Sequence, residues 1–314
     1  MQTKSNSLKF SISERAKAQL HEQLKKPTEV IKLDLHMREL EEIPKEVFSL
    51  PNLTELNLKN NYLSQIPKEI TALRKLEKLE LGGNNLTSFS EFICELTNLK
   101  YLELSWNKID TLPECIKNLQ NLEVLILSNN KIKFIPEELG RLSNLQILDL
   151  NNNEIEEIPE SIGDLISLEE LYLFENNLNK LPGTIGNCRS LKKLELQQNY
   201  LTEIPETIGN LVNLEKLRIY KNQLKSLPSS IGNLKNLIKL LLYENQISEL
   251  PNTLGNLENL VEFDISGNEL KILPETLFNL KHLQKLSVSN NSFPTDYFYL
   301  LREKFPQTKI ECDY

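Results

Sequence analysis

Long apolar runs are missing from this chain. No stretch of about 18 apolar residues occurs in its 314 residues, and the first thirty lack the apolar segment of a secretory leader. The sequence therefore reads as having no membrane span and no signal peptide: cytoplasmic as it stands, secreted or surface-exposed if it is a processed form. An excess of positive charge is missing too. With 36 Lys and Arg against 44 Asp and Glu, the net charge is −8, which argues against nucleic acid as a partner, because phosphate neutralisation needs a basic stripe. Histidine is scarce, at three residues, and no HExxH, GxxxxGK(S/T), GxGxxG or GxSxG motif occurs. No cofactor, metal or catalytic apparatus is expected. Asp34 and His36 have the right chemistry for a metal, yet no third ligand follows at a matching spacing, so they read as solvated surface. Cysteine is limited to Cys94, Cys115, Cys188 and Cys312, scattered rather than clustered, which predicts free thiols instead of a disulfide framework.

What is present is a period. Leucine or valine recurs every 23 residues at Val30, Leu53, Leu76, Leu99, Leu122, Leu145, Leu168, Leu191, Leu214, Leu237, Leu260 and Leu283 without one insertion or deletion. Such self-similarity means one supersecondary unit stacked twelve times, and it overrides the two-domain expectation that the length alone would give. Counting from Leu122 as position 1, Leu125, Leu127, Asn130, Ile132, Ile135, Pro136, Leu139, Gly140 and Leu142 mark positions 4, 6, 9, 11, 14, 15, 18, 19 and 21, and the other units fit the same frame. Positions 3 to 5 alternate with a period of two, so each unit contributes one short strand with positions 4 and 6 inward and 3 and 5 outward. Stacked strands make a parallel sheet.

The remaining fixed positions follow from backbone needs. Asn at position 9, from Asn61 to Asn291, leaves the strand with an amide able to donate and accept, which predicts a buried ladder; the first unit has Arg38 there. Proline at position 15 suits the first turn of a short helix, and glycine at position 19, from Gly140 to Gly255, is expected to stop it with φ > 0. Convex 3₁₀ turns or very short helices follow, with a different turn expected in the units before Gly140. Ser11, Glu14, Ile12, Ala16, Leu20, Leu24 and Pro27 outline an amphipathic capping helix. At the other end, a helix from Thr295 or Asp296 carries Phe298, Leu301 and Phe305 into a closing strand, Lys309 to Cys312. In this frame Cys188 and Cys312 read as small buried hydrophobes, while Cys94 and Cys115 occupy positions 19 and 17 of adjacent units, where a disulfide is conceivable.

The core LxxLxLxxNxL, with its (I/L)P step and (I/L)xxL turn, closely resembles the leucine-rich repeat family in its 23-residue form, over about residues 30–305. The variable part PxxIGNLxNL is most similar to bacterial members, spirochaetal ones in particular. The resemblance implies an α/β horseshoe with a concave parallel sheet, convex 3₁₀ or short helical turns and helical caps. The expected division is a capping helix over residues 1–29, twelve repeats over 30–305 and a capping strand over 306–314, in one structural domain. It also implies a non-enzymatic interaction module, a monomer, holding a protein or peptide on its concave face. A bacterial host-interaction protein, an intracellular scaffold or regulatory subunit, and a carbohydrate or cell-surface adhesin are the specific versions of that reading.

The concave face is then read at positions 3, 5, 7 and 8. Position 5 is largely acidic (Asp34, Glu80, Glu103, Asp149, Glu195, Asp264) and position 3 largely basic (Lys32, Lys78, Lys193, Lys216, Lys239, Lys285). Two groups depart from this polar pattern. Units 7 to 10 supply Tyr172, Phe174, Tyr220, Leu241 and Tyr243, with Arg218 among them; units 4 to 6 supply Tyr101, Trp106, Val124, Ile126 and Ile147. Aromatic and Arg residues outside the core are the composition of an interface hot spot, although lateral packing within a sheet face is the competing explanation.

Overall fold

The computed structural model describes residues 25–313, so the capping helix expected near residues 11–26 lies almost wholly outside the described residues. Each repeat forms one three-residue strand at positions 3–5, from β1 (Lys32–Asp34) to β12 (Lys285–Ser287). Each pairs in parallel with the next, inward apolar residue against inward apolar residue, as in Leu33 with Leu56 and Leu286 with Ile310. A thirteenth strand, β13 (Lys309–Glu311), joins β12 after an α-helix over Tyr297–Lys304. The sheet is open and curved, and its strands run in sequence order without a crossover.

Burial follows the frame. Leucines and isoleucines at positions 1, 4, 6, 11, 18 and 21 are almost wholly excluded from water and join into one continuous core, which Phe263 enters at a leucine position. Each repeat is too thin to enclose its own apolar face, so its neighbours do so. The C-terminal helix extends the same core: Phe298 and Leu301 are buried, and Phe305 meets Phe278 edge-on with ring centres 5.5 Å apart.

Position 9 carries the ladder. Asn84 shows the pattern: its Oδ1 accepts from the Leu63 N–H at 3.0 Å, and its Nδ2 donates to the Leu58 and Leu81 carbonyls at 3.0 and 2.9 Å. Each amide thus satisfies backbone groups of its own repeat and of the one before. At the first repeat, the N–H groups of Arg38 and Leu40 both reach Asn61 Oδ1.

Eleven five-residue 3₁₀ turns, Lys45–Ser49 to Glu275–Asn279, lie on the convex side at positions 16–20. Two expectations change here. Proline precedes the turn in extended conformation rather than opening it, and its carbonyl accepts the first bond, as from Val47 N–H to Pro44 at 3.0 Å. Glycine at position 19 sits inside the turn without positive φ; among the described glycines only Gly83 and Gly267 have it. The reason for glycine is proximity. A Cβ on Gly186 would stand 2.3 Å from the Thr207 carbonyl oxygen, at position 17 of the next repeat. The early turns, which lack this glycine, are 3₁₀ turns of the same length, so no separate turn type exists there.

That seam also corrects the expectation of free thiols. Cys94 and Cys115, at positions 19 and 17 of neighbouring repeats, form a disulfide across 5.8 Å between Cα atoms. Cys188 is free and buried, and burial pushes its thiol pKa up to about 12, which leaves it inert.

Candidate partner interface on the concave face

Parallel in-register pairing aligns position 3 with position 3 and position 5 with position 5, so outward side chains form rows across the sheet. The first group lies on β7 (Glu170–Tyr172), β8 (Lys193–Glu195), β9 (Lys216–Arg218) and β10 (Lys239–Leu241) and on the residues just beyond them. Tyr220 and Tyr243, at position 7 of adjacent repeats, stack face to face with centroids 4.1 Å apart and an 11° interplanar angle. Both are half-buried, and burial, then the hydrogen bond with Tyr220, raises the pKa of the Tyr243 hydroxyl. Phe174 does not extend this stack, because buried Gln197 occupies position 7 of the intervening repeat. Leu241 is itself buried at 9 % exposure, in register between Arg218 and Asp264, so it offers little surface.

Tyr172 belongs to a polar cluster. Its hydroxyl donates to Glu170 and accepts from Lys193 Nζ at 2.9 Å, and the Lys193 ammonium lies 4.4 Å from the Tyr172 ring centre. Burial works against the charge on Lys193, but its bond to Tyr172 and the Glu195 carboxylate outweigh that and raise its pKa. Glu195 is nearly inaccessible and holds Arg218 at 2.6 Å and Lys193 at 3.4 Å. Arg218 is therefore engaged with a buried carboxylate, which fixes its direction.

The second group lies on β4 (Tyr101–Glu103), β5 (Val124–Ile126) and β6 (Ile147–Asp149). Tyr101, Val124 and Ile147 align in register as a half-buried apolar row, with Ile126 beside Glu103 and Asp149. Lys78 sits 4.8 Å over the Tyr101 ring, whose hydroxyl pKa burial, then the charges of Glu103 and Glu80, push up to about 12. Glu103 folds over the side-chain-free Gly82, bonded to Ser105 at 2.7 Å and ion-paired with Lys59 at 2.7 Å. Trp106 stands apart from the row, 66 % exposed at position 8. Its φ is +53°, and position 8 is left-handed in every repeat, as Asn or Gly in half of them and, Trp106 aside, as Met, Glu, Gln or Lys in the others. A tryptophan held there costs roughly 1–2 kcal/mol.

Sequence reasoning missed a second amide row. Asn at position 23 donates to the position 22 carbonyl of the preceding repeat, as from Asn98 to Arg74 at 2.7 Å and Asn236 to Val212 at 2.9 Å. Its signal was the recurrence of Asn52, Asn98, Asn121, Asn144, Asn213, Asn236 and Asn259 at one position. Three of these amides, Asn213, Asn236 and Asn259, line with Ile238 and His282 a shallow groove of about 540 Å³ on the rim, away from the tyrosine stack. Among the described residues, no group of three or more His, Cys, Asp or Glu side chains is placed to hold a metal ion, and no helix is long and apolar enough to cross a membrane.

The chain was compared with known proteins. A family model for a leucine-rich repeat region matches residues 87–180, 127–198 and 180–246, and further leucine-rich repeat models match residues 28–86 and 259–280. No significant match arose among curated proteins. Solved structures similar to this one include a leucine-rich repeat protein of Leptospira interrogans (29 % identity over 93 % of this chain and 98 % of that one, TM-score 0.56). An internalin (InlF) of Listeria monocytogenes is similar in fold, at 22 % identity over 96 % of this chain and 91 % of that one, with TM-score 0.84. The ectodomain of the plant receptor kinase GASSHO1/SCHENGEN3 of Arabidopsis thaliana, in complex with Casparian strip integrity factor 2, matches at 33 % identity over 91 % of this chain and 38 % of that one, with TM-score 0.72. Motif, sheet and family models agree over residues 28–246 and 259–280: the chain belongs to the leucine-rich repeat family, whose fold serves as a protein–protein interaction module.

Proposed function

We propose that this chain binds a protein or peptide partner on its concave face without performing chemistry on it, and that repeats 7 to 10 make the central contact. The observation that carries this reading is the Tyr220–Tyr243 stack. Its rings are half-exposed and contribute nothing that Leu217, Ile219, Leu240 and Leu242 beneath them do not already supply to the core. Stacked rings on a sheet lose little conformational freedom on binding, and large aromatic side chains dominate interface energetics. The Tyr101, Val124 and Ile147 row, with Ile126 and Trp106 beside it, offers a second contact, so a partner long enough to cross both would lie along the sheet. The receptor kinase ectodomain above is in complex with Casparian strip integrity factor 2, and the leucine-rich repeat part of FLRT2 is in a complex with latrophilin 3 and Unc5D, which supports the same use here.

The test is capture with the full chain as bait, from bacterial or host extracts, beside Tyr220→Ala/Tyr243→Ala and Tyr101→Ala/Trp106→Ala baits. A partner held by the native chain should lose about 2 kcal/mol or more of binding to the first double variant. Retention by both variants would place binding elsewhere and overturn the proposal. Whether the captured protein comes from a host or from the cell's own interior decides between a host-contact role and a scaffold.

A further inference from the structure

The lysines at position 3 differ in what they hold. In register across the sheet the row reads Glu170, Lys193, Lys216, Lys239, Glu262, so three adjacent lysines are bracketed by one glutamate on each side. Strand spacing puts the outer two roughly 10 Å apart. Like charges directly opposite each other on neighbouring strands repel. The outer pair relieves this by leaning away from the centre. Lys193 turns toward Tyr172 and Glu195, and Lys239 turns toward Glu262, 2.6 Å away. Lys216 is left exposed in the middle, with no ion pair to any described residue. The one other cation on its strand, Arg218, is committed to Glu195.

We infer that Lys216 receives an acidic side chain of the partner, on an extended peptide segment that also sets an apolar or aromatic side chain on the Tyr220–Tyr243 stack. The inference rests on the concave-face reading above and adds the chemistry of the partner. Two features fix the occupant. Lys216 at position 3 and Tyr220 at position 7 belong to one strand and its continuation, so the two contacts are about 13 Å apart, which is about four residues of extended chain. The positive row is only three strands wide and ends in glutamates, so it accommodates one or two carboxylates and repels a long polyanion. On a chain of net charge −8, Lys216 is the one uncompensated cation at this point, because Lys193, Lys239 and Arg218 are ion-paired, and it favours a carboxylate of the partner.

A phage-displayed library of random dodecapeptides, panned on the full chain, tests this directly. The expected result is enrichment of Asp or Glu about four residues from an aromatic or long aliphatic side chain. Binding of the selected peptides should fall about tenfold in Lys216→Ala and further in Lys216→Glu, return in Lys216→Arg, and weaken with salt. It should also be lost in Tyr220→Ala/Tyr243→Ala. Unchanged thermal midpoints of the Lys216 variants certify that the fold is intact. Peptides that need the tyrosines but are neutral or basic and ignore Lys216→Glu would overturn the inference and leave the concave-face reading standing. Peptides indifferent to every concave substitution, or no selected peptide at all, would count against both. Binding of heparin that depends on Lys216, without enrichment of acidic peptides, would reassign the row to a sulfated polymer and overturn the inference as well.

Discussion

The convex side solves one contact in different ways along the stack. Between repeats 3 and 4, position 19 and the following position 17 are Cys94 and Cys115, joined covalently. One step on they are Lys117 and Glu138, an ion pair at 3.9 Å with both partners partly in water. From Gly140 to Gly255 they are glycine against Ser or Thr, so close that a Cβ would meet backbone. In several of these repeats the threonine hydroxyl also bonds back to the preceding turn, as from Thr184 Oγ1 to the Glu160 carbonyl at 2.6 Å. Where the sequence gives up the side chain, neighbouring turns pack more densely; between repeats 3 and 4 and between 4 and 5, where it keeps one, a disulfide or a charge pair spans the wider gap. The sheet side, by contrast, repeats the same ladder throughout. Cohesion between repeats is therefore uniform on the concave side and graded on the convex side.

The sharpest way to break this comparison is to cut the covalent seam. Cys94→Ser/Cys115→Ser, or reductant on the native chain, should lower stability by about 3 kcal/mol, the chain-entropy value for a loop of this length, read from denaturant unfolding. An unchanged midpoint under reductant would show that the thiols are not paired in solution. Next in size, Gly186→Ala should cost about 2 kcal/mol by overpacking against Thr207, and Gly→Ala at a position with no close neighbour, Gly183, should cost nothing measurable. Asn84→Ala and Asn199→Ala, one in a disulfide-seam repeat and one in a glycine-seam repeat, should each cost about 1–3 kcal/mol and agree with each other. Unequal losses would mean that the sheet side is graded as well. Acid addresses a third region. Lys309, Ser287 and Lys285 hold the Glu311 carboxyl at about 2, below its ordinary 4.5. A depressed carboxyl contributes stability above its unfolded value and loses it as pH falls toward the folded one. Protection of the Val288 and Lys309 amides, which tie β13 to the sheet, measured relative to the intrinsic exchange rate at each pH, should fall as pH drops from 4.5 toward 2, while the disulfide and glycine seams are unaffected. Smallest of all, Lys117→Ala should change stability by less than about 0.5 kcal/mol, as an exposed pair does.

The frame, the strand in each repeat and the position 9 ladder were legible because one-dimensional stacking turns a sequence offset of 23 into a spatial neighbour. What the frame does not state is how near two convex positions come. Glycine at position 19 reads first as a turn residue, and only the closeness of Ser161 or Thr184 shows that it clears space. The sequence showed that a Cys94–Cys115 disulfide was conceivable, but scattered spacing favoured free thiols, because how near positions 19 and 17 come is not written in the frame. The left-handed turn at position 8 was only half written, in Asn60, Gly83, Asn129, Asn152, Gly267 and Asn290; Met37, Trp106, Glu175, Gln198, Lys221 and Glu244 hold the same conformation against their preference. Lys216 looked like any other lysine of its row; that it alone lacks a partner depends on where its neighbours lean.

The position 9 amide gives the stack a direction. Asn84 serves the repeat before it, Asn107 serves the repeat of Asn84, and so on to the end, each unit borrowing from its successor and lending to its predecessor. A whole repeat removed or duplicated in frame leaves every lender beside a borrower, whereas a cut through the middle of one strands backbone groups on the side facing the N-terminus. Length can therefore drift by complete units wherever neighbours are interchangeable, as they are from Gly140 to Gly255. The Cys94 and Cys115 repeats are the exception, because their partnership is private to one junction and cannot be passed on to a newcomer.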